Sequence, residues 1–370
     1  MNKLILICFF AIILIGCSYD SKDQIINGIP INLDQKDNVS IKQIFSKIDL
    51  IPLETSSKVF IKRANKIVYN DGKYYVLDIA QHSIFIFDDK GKFLYKIQKA
   101  THGLALYETI RDFEINPFNN TIELLSPNGV VFVYDINGNY QSTFRLNGIS
   151  AVEFFEDVSK DVVVFYSMFE PKRIIYFSRS TNKIFKSTYE IPEFLTRRTS
   201  LNSSNSPFSK FKNKFLLSTV FSNAVYVVRP DDIKVKYTWD FGKYNFNIKD
   251  LPPNESGNYY HSFFQHPNFA YDFFFNTETE KKIFTGIRFR GKQLNLIYDK
   301  LSGTYKLFEQ FSEGINYPHL LIPFDGGVFA VVDPSDISEN VKPGLLDKPN
   351  NETLKNIKLT DNPVIIKYNF

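Results

Sequence analysis

Two stretches of this chain carry one pattern at an offset of 47 residues. FIFDDKGKFLYKI (Phe85–Ile97) and FVYDINGNYQSTF (Phe132–Phe144) align so that Asp88 matches Asp135 and Gly91 matches Gly138. In each, aromatic and β-branched residues suited to a pleated sheet flank a short polar turn. Asp opens such a turn and Gly closes it, because a left-handed backbone costs Gly little. A period in the forties built from strands alone is the signature of a propeller blade, so few other folds fit.

The opening unit, Tyr69–Ile97, reads as three short strands, and its second copy runs over Asn120–Leu146. Weaker copies follow at Arg173–Tyr189, Phe215–Gly242 and Ile283–Gln310, with turns at Ser178–Asn182, Pro230–Asp232, Arg290-Gly291 and Asp299–Gly303. A sixth unit is incomplete: Leu320–Phe324 and Gly327–Val332 pair across Asp325-Gly326, and Val364–Tyr368 adds a third strand. Ile48–Leu53, at the other end of the chain, is expected to supply the fourth and close the ring, which removes its open edges. The expected fold is therefore an all-β, six-bladed β-propeller closed by an N-terminal strand on the C-terminal blade, with seven blades the alternative count. With 37 Phe and 21 Tyr the chain can fill a large core, and Trp239 is expected inside it. Residues 46–370 form the propeller, with an insertion at about 245–280 expected to leave one face. Short helices are expected at Val39–Ser46 and Glu352–Ile357.

The N-terminus reads as a leader. Lys3 precedes twelve apolar residues, Leu4–Ile15, too few for a bilayer span of about 20 residues but suited to a signal peptide. Leu14-Ile15-Gly16-Cys17 matches a bacterial lipobox, so residues 1–16 are expected to be removed and Cys17 lipidated. Cys8 lies inside the leader, which leaves no disulfide. Polar residues 17–45 are expected to form a tether to the membrane. The net charge of +4 is spread without a basic run and gives no reason to propose nucleic acid.

IPLET (Ile51–Thr55), FDDKGKFLYKI (Phe87–Ile97), WDFGK (Trp239–Lys243) and DNPVIIKY (Asp361–Tyr368) together resemble motifs of the six-bladed β-propeller lipoproteins of Bacteroidota, related in architecture to the NHL repeat. The resemblance spans almost the whole mature chain and implies a place in the cell envelope, lipid-anchored to the outer membrane, periplasmic or surface-exposed; a monomer is expected. One segment departs from it. Where that family carries a Gly-rich, Pro-Gly-Glu-Tyr-like connection, this chain reads THGLALYETIRDF (Thr101–Phe113), so no role of that loop carries over.

Catalytic chemistry is not legible. No G-x-S-x-G elbow, phosphate loop or Asp-x-Asp calcium loop occurs, and no cofactor is implied. His261 and His266 are not spaced for one helix face; His82, His102 and His319 could meet at an axial metal as in propeller lyases, but read better as turn and surface residues. Asp112, Glu114 and Asp272 are unassigned acids. Tyr259, Tyr260, His261 and Tyr271, in the aromatic insertion, are the candidate ligand-binding residues, since aromatic rings over a propeller face could stack on sugars. Their alternative is packing onto the adjoining blade. The expected function is a binding or scaffold module for a glycan or envelope protein; the alternative is an axial-channel lyase or hydrolase. Cys17→Ser is expected to abolish fatty-acid labelling in the producing cell, and unchanged labelling would refute the lipobox.

Overall fold

The structure, a computed structural model, describes residues 26–98, 109–149, 151–192, 206–220, 222–248, 268–316 and 321–370. Two strands precede the repeats, β1 (Ile26–Pro30) and β2 (Lys47–Pro52). Blade one is β3 (Lys66–Asn70), β4 (Lys73–Asp78), β5 (Ser83–Asp88) and β6 (Phe93–Gln98). Blade two is β7 (Asp112–Asn116), β8 (Thr121–Leu125), β9 (Val130–Asp135) and β10 (Tyr140–Arg145). Blade three is β11 (Phe154–Asp157), β12 (Val162–Tyr166), β13 (Lys172–Ser178) and β14 (Lys183–Glu190). Blade four is β15 (Phe208–Phe211), β16 (Lys214–Ser218), β17 (Ala224–Val228) and β18 (Ile233–Asp240), with β1 added to its outer edge. Blade five is β19 (Asp272–Glu278), β20 (Lys282–Phe289), β21 (Lys292–Asp299) and β22 (Tyr305–Phe308). Blade six is β23 (Ile322–Phe324), β24 (Gly327–Val332) and β25 (Val364–Asn369), completed by β2.

The middle strands lack the usual polar–apolar alternation because both faces of each blade are covered. In β4, Tyr74 and Val76 pack toward blade six while Tyr75 and Leu77 pack toward blade two. The period of two is still present, but alternate residues fill different seams. The apolar core is accordingly divided among six blade-to-blade seams rather than gathered in one centre. Trp239, 1% exposed, fills the seam between blades four and five, as expected of a core residue.

Ring closure follows the expected route. β2 pairs antiparallel with β25 from Lys47↔Asn369 to Pro52↔Val364. Beside it, the buried Asn362 side chain donates to the carbonyls of Glu54 (2.6 Å) and Val59 (2.9 Å) and accepts from the Ile61 N–H (2.7 Å). The IPLET and DNPVIIKY motifs are thus two sides of one junction.

Four expectations change. The opening unit has a fourth strand, β3, which starts before Tyr69. Residues 26–45 are not tether: β1 pairs in parallel with β18, and Ile29, Ile31, Leu33, Val39, Ile41 and Phe45 are buried against blades four to six. Apolar residues spaced through a polar stretch produced this strap, and polarity alone concealed it. The expected insertion ends earlier, since 272–278 is the innermost strand of blade five. The two expected helices appear as a single turn at Ile41–Gln43 and a helix at Lys348–Asn356. Cys17 and the leader lie outside the described residues.

The repeated turn has a tertiary reason. Asp88 Oδ1 accepts from the N–H groups of Lys90 and Lys92, and Asp135 Oδ1 from those of Asn137 and Asn139, all at 2.8–2.9 Å. Gly91 and Gly138 are left-handed, at φ 81° and 88°. Each also lies against the outer strand of the preceding blade: a Cβ on Gly91 would stand 2.4 Å from the Pro52 carbonyl oxygen, and one on Gly138 3.2 Å from Ile97 Cγ1. Gly91→Ala is therefore expected to cost about 3 kcal/mol and Gly138→Ala about 1–2 kcal/mol. Asn362→Ala, which leaves buried backbone groups unpaired, is expected to cost about 3 kcal/mol. Urea unfolding of the three variants measures the order; equal effects at the two glycines would contradict the contact argument.

Candidate functional site at the axial channel

The innermost strands β3, β7, β11, β15, β19 and β23 contact one another in sequence around the axis. All begin at one face, which also holds the loops between second and third strands; the hairpin turns occupy the other face. Five charged side chains from four of these strands meet on the axis. Lys66 Nζ donates to Asp112 Oδ1 (2.7 Å) and to Glu114 Oε1; Lys210 Nζ donates to Glu114 Oε2 (2.7 Å) and lies 3.2 Å from Glu156 Oε2. Glu114 thus takes a lysine from blade one and another from blade four. Asp112 Oδ2 also accepts from the Phe155 N–H (3.2 Å), tying blade two to blade three. The carboxylates are 1–3% exposed, whereas the Lys210 side chain retains 38% of its surface, so water can reach the cluster.

Burial alone would raise Glu114, but Lys210 and Lys66 hold its carboxyl down at about 2. Burial, and then the Glu114 charge, push Glu156 well above the usual carboxylate range against the pull of Lys210. Asp112 is raised by burial despite Lys66. Both ammonium groups are held above the ordinary lysine value, because the carboxylates outweigh their desolvation. The centre is therefore three acidic groups braced by two lysines that stay charged, and neither lysine is poised as a neutral base.

A pocket of about 20 Å³, room for roughly one water molecule, lies at the face where the inner strands of blades three, four and five begin, and none of the five charged residues lines it. Phe154, Tyr166, Met168 and Phe273 give it aromatic and thioether walls, and Ser206, Ser218 and Thr219 give it hydroxyls. The fully buried Arg173 donates from Nη1 to the Tyr166 hydroxyl (3.1 Å), and the Tyr189 hydroxyl bonds Thr219 Oγ1. Tyr189 does so from a left-handed backbone, φ 62°, an uncommon conformation for a bulky residue.

Of the residues expected to bind ligand, Tyr259, Tyr260 and His261 lie outside the described residues, as do His102, His266 and His319. Tyr271 is half-buried just before β19, its ring edge-on to Phe269 at 6.0 Å; Phe269 in turn stacks on Phe246 at 4.3 Å. Phe273 and Phe275 pack into seams, which is the alternative weighed for the insertion. His82 caps a turn of blade one from a left-handed backbone. Asp112 and Glu114, unassigned from sequence, are at the centre of the site; Lys66, Glu156 and Lys210 were missed. The signal that could have found them is a charge inside the first strand of successive units. Among the described residues no group of three or more His, Cys, Asp or Glu is placed to hold a metal ion.

Glu114→Gln, which strips a carboxylate from two lysines, is expected to destabilise by about 3–5 kcal/mol at pH 7. Glu156→Gln, which mimics the neutral acid that burial prefers, is expected to be neutral or stabilising. The sign for Glu114 is that of a lowered group: its contribution is complete above the ordinary value of 4.5 and is lost as pH falls toward 2. Urea unfolding from pH 7 to pH 3 should therefore show the wild type converging on Glu114→Gln. Parallel curves would remove the group from the pH response.

A solved structure from Bacteroides fragilis, described as a "putative exported protein", superposes with a TM-score of 0.70 at 15% identity, over 93% of this chain and 99% of the other. A member of the duf4221 family from Bacteroides vulgatus superposes with a TM-score of 0.56 at 9% identity, over 88% and 96%. At these identities the likeness shows the fold. No curated protein matches the chain. The model of DUF4934, a domain of unknown function, matches residues 26–369, from the first residue of the strap strand through the closing blade, and the chain belongs to that family.

Proposed function

We propose that this protein is an exported, lipid-anchored propeller of the cell envelope that binds a glycan at the mouth of its axial channel. The observation that carries the reading is the pocket of Phe154, Tyr166 and Phe273 edged by Ser206, Ser218 and Thr219. A space for about one water molecule admits a single hydroxyl group of a sugar, and the Ser206, Ser218 and Thr219 hydroxyls can exchange hydrogen bonds with it while the rest of the glycan lies across the rim. Tyr166 accepts from Arg173, which leaves its own hydroxyl proton to donate. Export is supported by the apolar leader and by the description of the B. fragilis relative in fold, and anchoring by the Leu14–Cys17 lipobox alone. Among the described residues no helix is long and apolar enough to cross a membrane.

A second reading has one observation in its favour. Asp112, Glu114 and Glu156 converge on the axis, and Glu156 favours its protonated form, as a general acid of a lyase or hydrolase would. Against it stands the pairing of these carboxylates with lysines. Purified protein screened on a glycan array and against envelope extracts is expected to show saturable glycan binding. Ser206→Trp, which fills the pocket from its half-exposed rim, should weaken it at least tenfold with an unchanged thermal transition. No binding in either screen would sink the first reading. Glycan cleavage abolished by Glu156→Gln would establish the second in its place.

A further inference from the structure

At the hairpin-turn face, where blade four meets blade five, lysines crowd one ring. Lys212, Lys236 and Lys300 place Nζ 5.6, 4.7 and 4.2 Å from the centroid of Phe211. The buried Glu278 carboxylate receives both Lys236 and Lys300 (2.5 and 2.6 Å), and Lys212 pairs with the exposed Glu280 at 2.8 Å. Cations still outnumber acids. Burial depresses the Lys236 ammonium, and Lys300 and Lys214 depress it further, despite Glu278. Lys234 and Lys281 are exposed around this corner, the nearby Asp232 and Asp299 being paired with Lys186 and Lys282 and Asp231 exposed, and Leu301, at the tip of the turn after β21, is 81% exposed.

The described chain begins at the same corner. Ile26 of β1 is registered with Tyr237, the neighbour of Lys236. From Cys17 to Ile26 the chain is nine residues long and can span at most about 30 Å. A lipid on Cys17 would therefore hold this corner close to a bilayer. A basic cluster with one protruding apolar tip is complementary to anionic headgroups over an acyl boundary.

We propose that the corner formed by Phe211, Lys212, Lys214, Lys236, Lys300 and Leu301 is the surface on which the propeller rests against the anionic lipid of the membrane that holds its own anchor. The proposal rests on the reading of Cys17 as the lipid carrier. It turns the channel mouth, at the opposite face, away from the bilayer and toward an approaching ligand.

The test uses the lipidated full-length mature protein carrying Leu301→Cys. Cys8 leaves with the leader and the Cys17 sulfur bears the lipid, so the new thiol alone takes an environment-sensitive fluorophore. On vesicles of phosphatidylcholine with phosphatidylglycerol, the label is expected to shift to the blue and to be quenched by a nitroxide-headgroup lipid. A label at Leu94→Cys, on the exposed edge of blade one, should remain aqueous. Lys212→Glu with Lys281→Glu should abolish the shift at position 301 while the protein still floats with the vesicles. An aqueous label at 301 on floating protein overturns the docking surface and leaves the anchor standing. Protein that does not float overturns the Cys17 reading and the docking surface with it. A shift produced by inorganic phosphate without vesicles would make the corner a soluble-anion site and overturn the proposal.

Discussion

A single blade of this protein has two apolar faces and can bury neither of them by itself. Each seam needs a neighbour on both sides, and the condition is met for all six blades only when the ring is closed. Closure here depends on one strand, β2, which crosses from the N-terminus to complete blade six. The pairing runs unbroken from Lys47 to Pro52, and the corner just past it is locked by Asn362, whose amide satisfies three backbone groups of the segment leading to blade one. Buried amides of this kind are costly unless fully bonded. The strap ahead of β2 extends the same device, since Ile29 to Phe45 fill the seams of blades four, five and six before the ring is closed.

The axis poses a different problem. The inner strands converge there, and the cluster is braced by charge instead of being filled with apolar groups. Three carboxylates and two ammonium groups are desolvated together, and pairing only partly offsets the penalty, as the opposite displacements of Glu114 and Glu156 show. What the arrangement supplies is registry. Glu114 can satisfy Lys66 and Lys210 together only when blades one, two and four stand at their correct spacing. The same pairing also limits what the cluster can do chemically, because each acid already has a cation and each cation is held in its charged form.

Much of the fold was legible because the repeat is local: an Asp–Gly turn between strand-forming runs can be read from thirteen residues, and its period identifies the blade. The parts that were not legible depend on contacts distant in sequence. β3 holds Lys66 and ends in Asn70, and nothing local marks it as the innermost strand; only the neighbouring blade makes it one. The strap was hidden because its apolar residues are separated by Asp, Lys and Asn that face solvent. The axial cluster was hidden for the same reason, since Lys66 and Lys210 are 144 positions apart and become neighbours only through the curvature of the ring. Asp112 and Glu114 were visible as acids, but their lysines were not visible as theirs.

The two faces of the ring are built from different kinds of chain, and this bears on which of them can carry specificity. On the hairpin-turn face, blades one and two repeat one solution, an Asp accepting two backbone amides and a Gly pressed against the preceding blade, so the geometry of those turns is dictated by the seams. The opposite face collects residues from the starts and ends of strands in several blades: Phe154 from blade three, Ser218 from blade four, Phe273 from blade five. No repeat constrains those positions. Tyr189 holds a left-handed backbone and bonds Thr219 of that pocket, and the fully buried Arg173 donates to Tyr166 of it. Strain and a buried guanidinium persist only where the surrounding structure holds them in place. Here the hold is specific: the Arg173 bond fixes the Tyr166 hydroxyl and the Tyr189 bond fixes Thr219, so two of the pocket's polar groups are set in place by residues behind its lining.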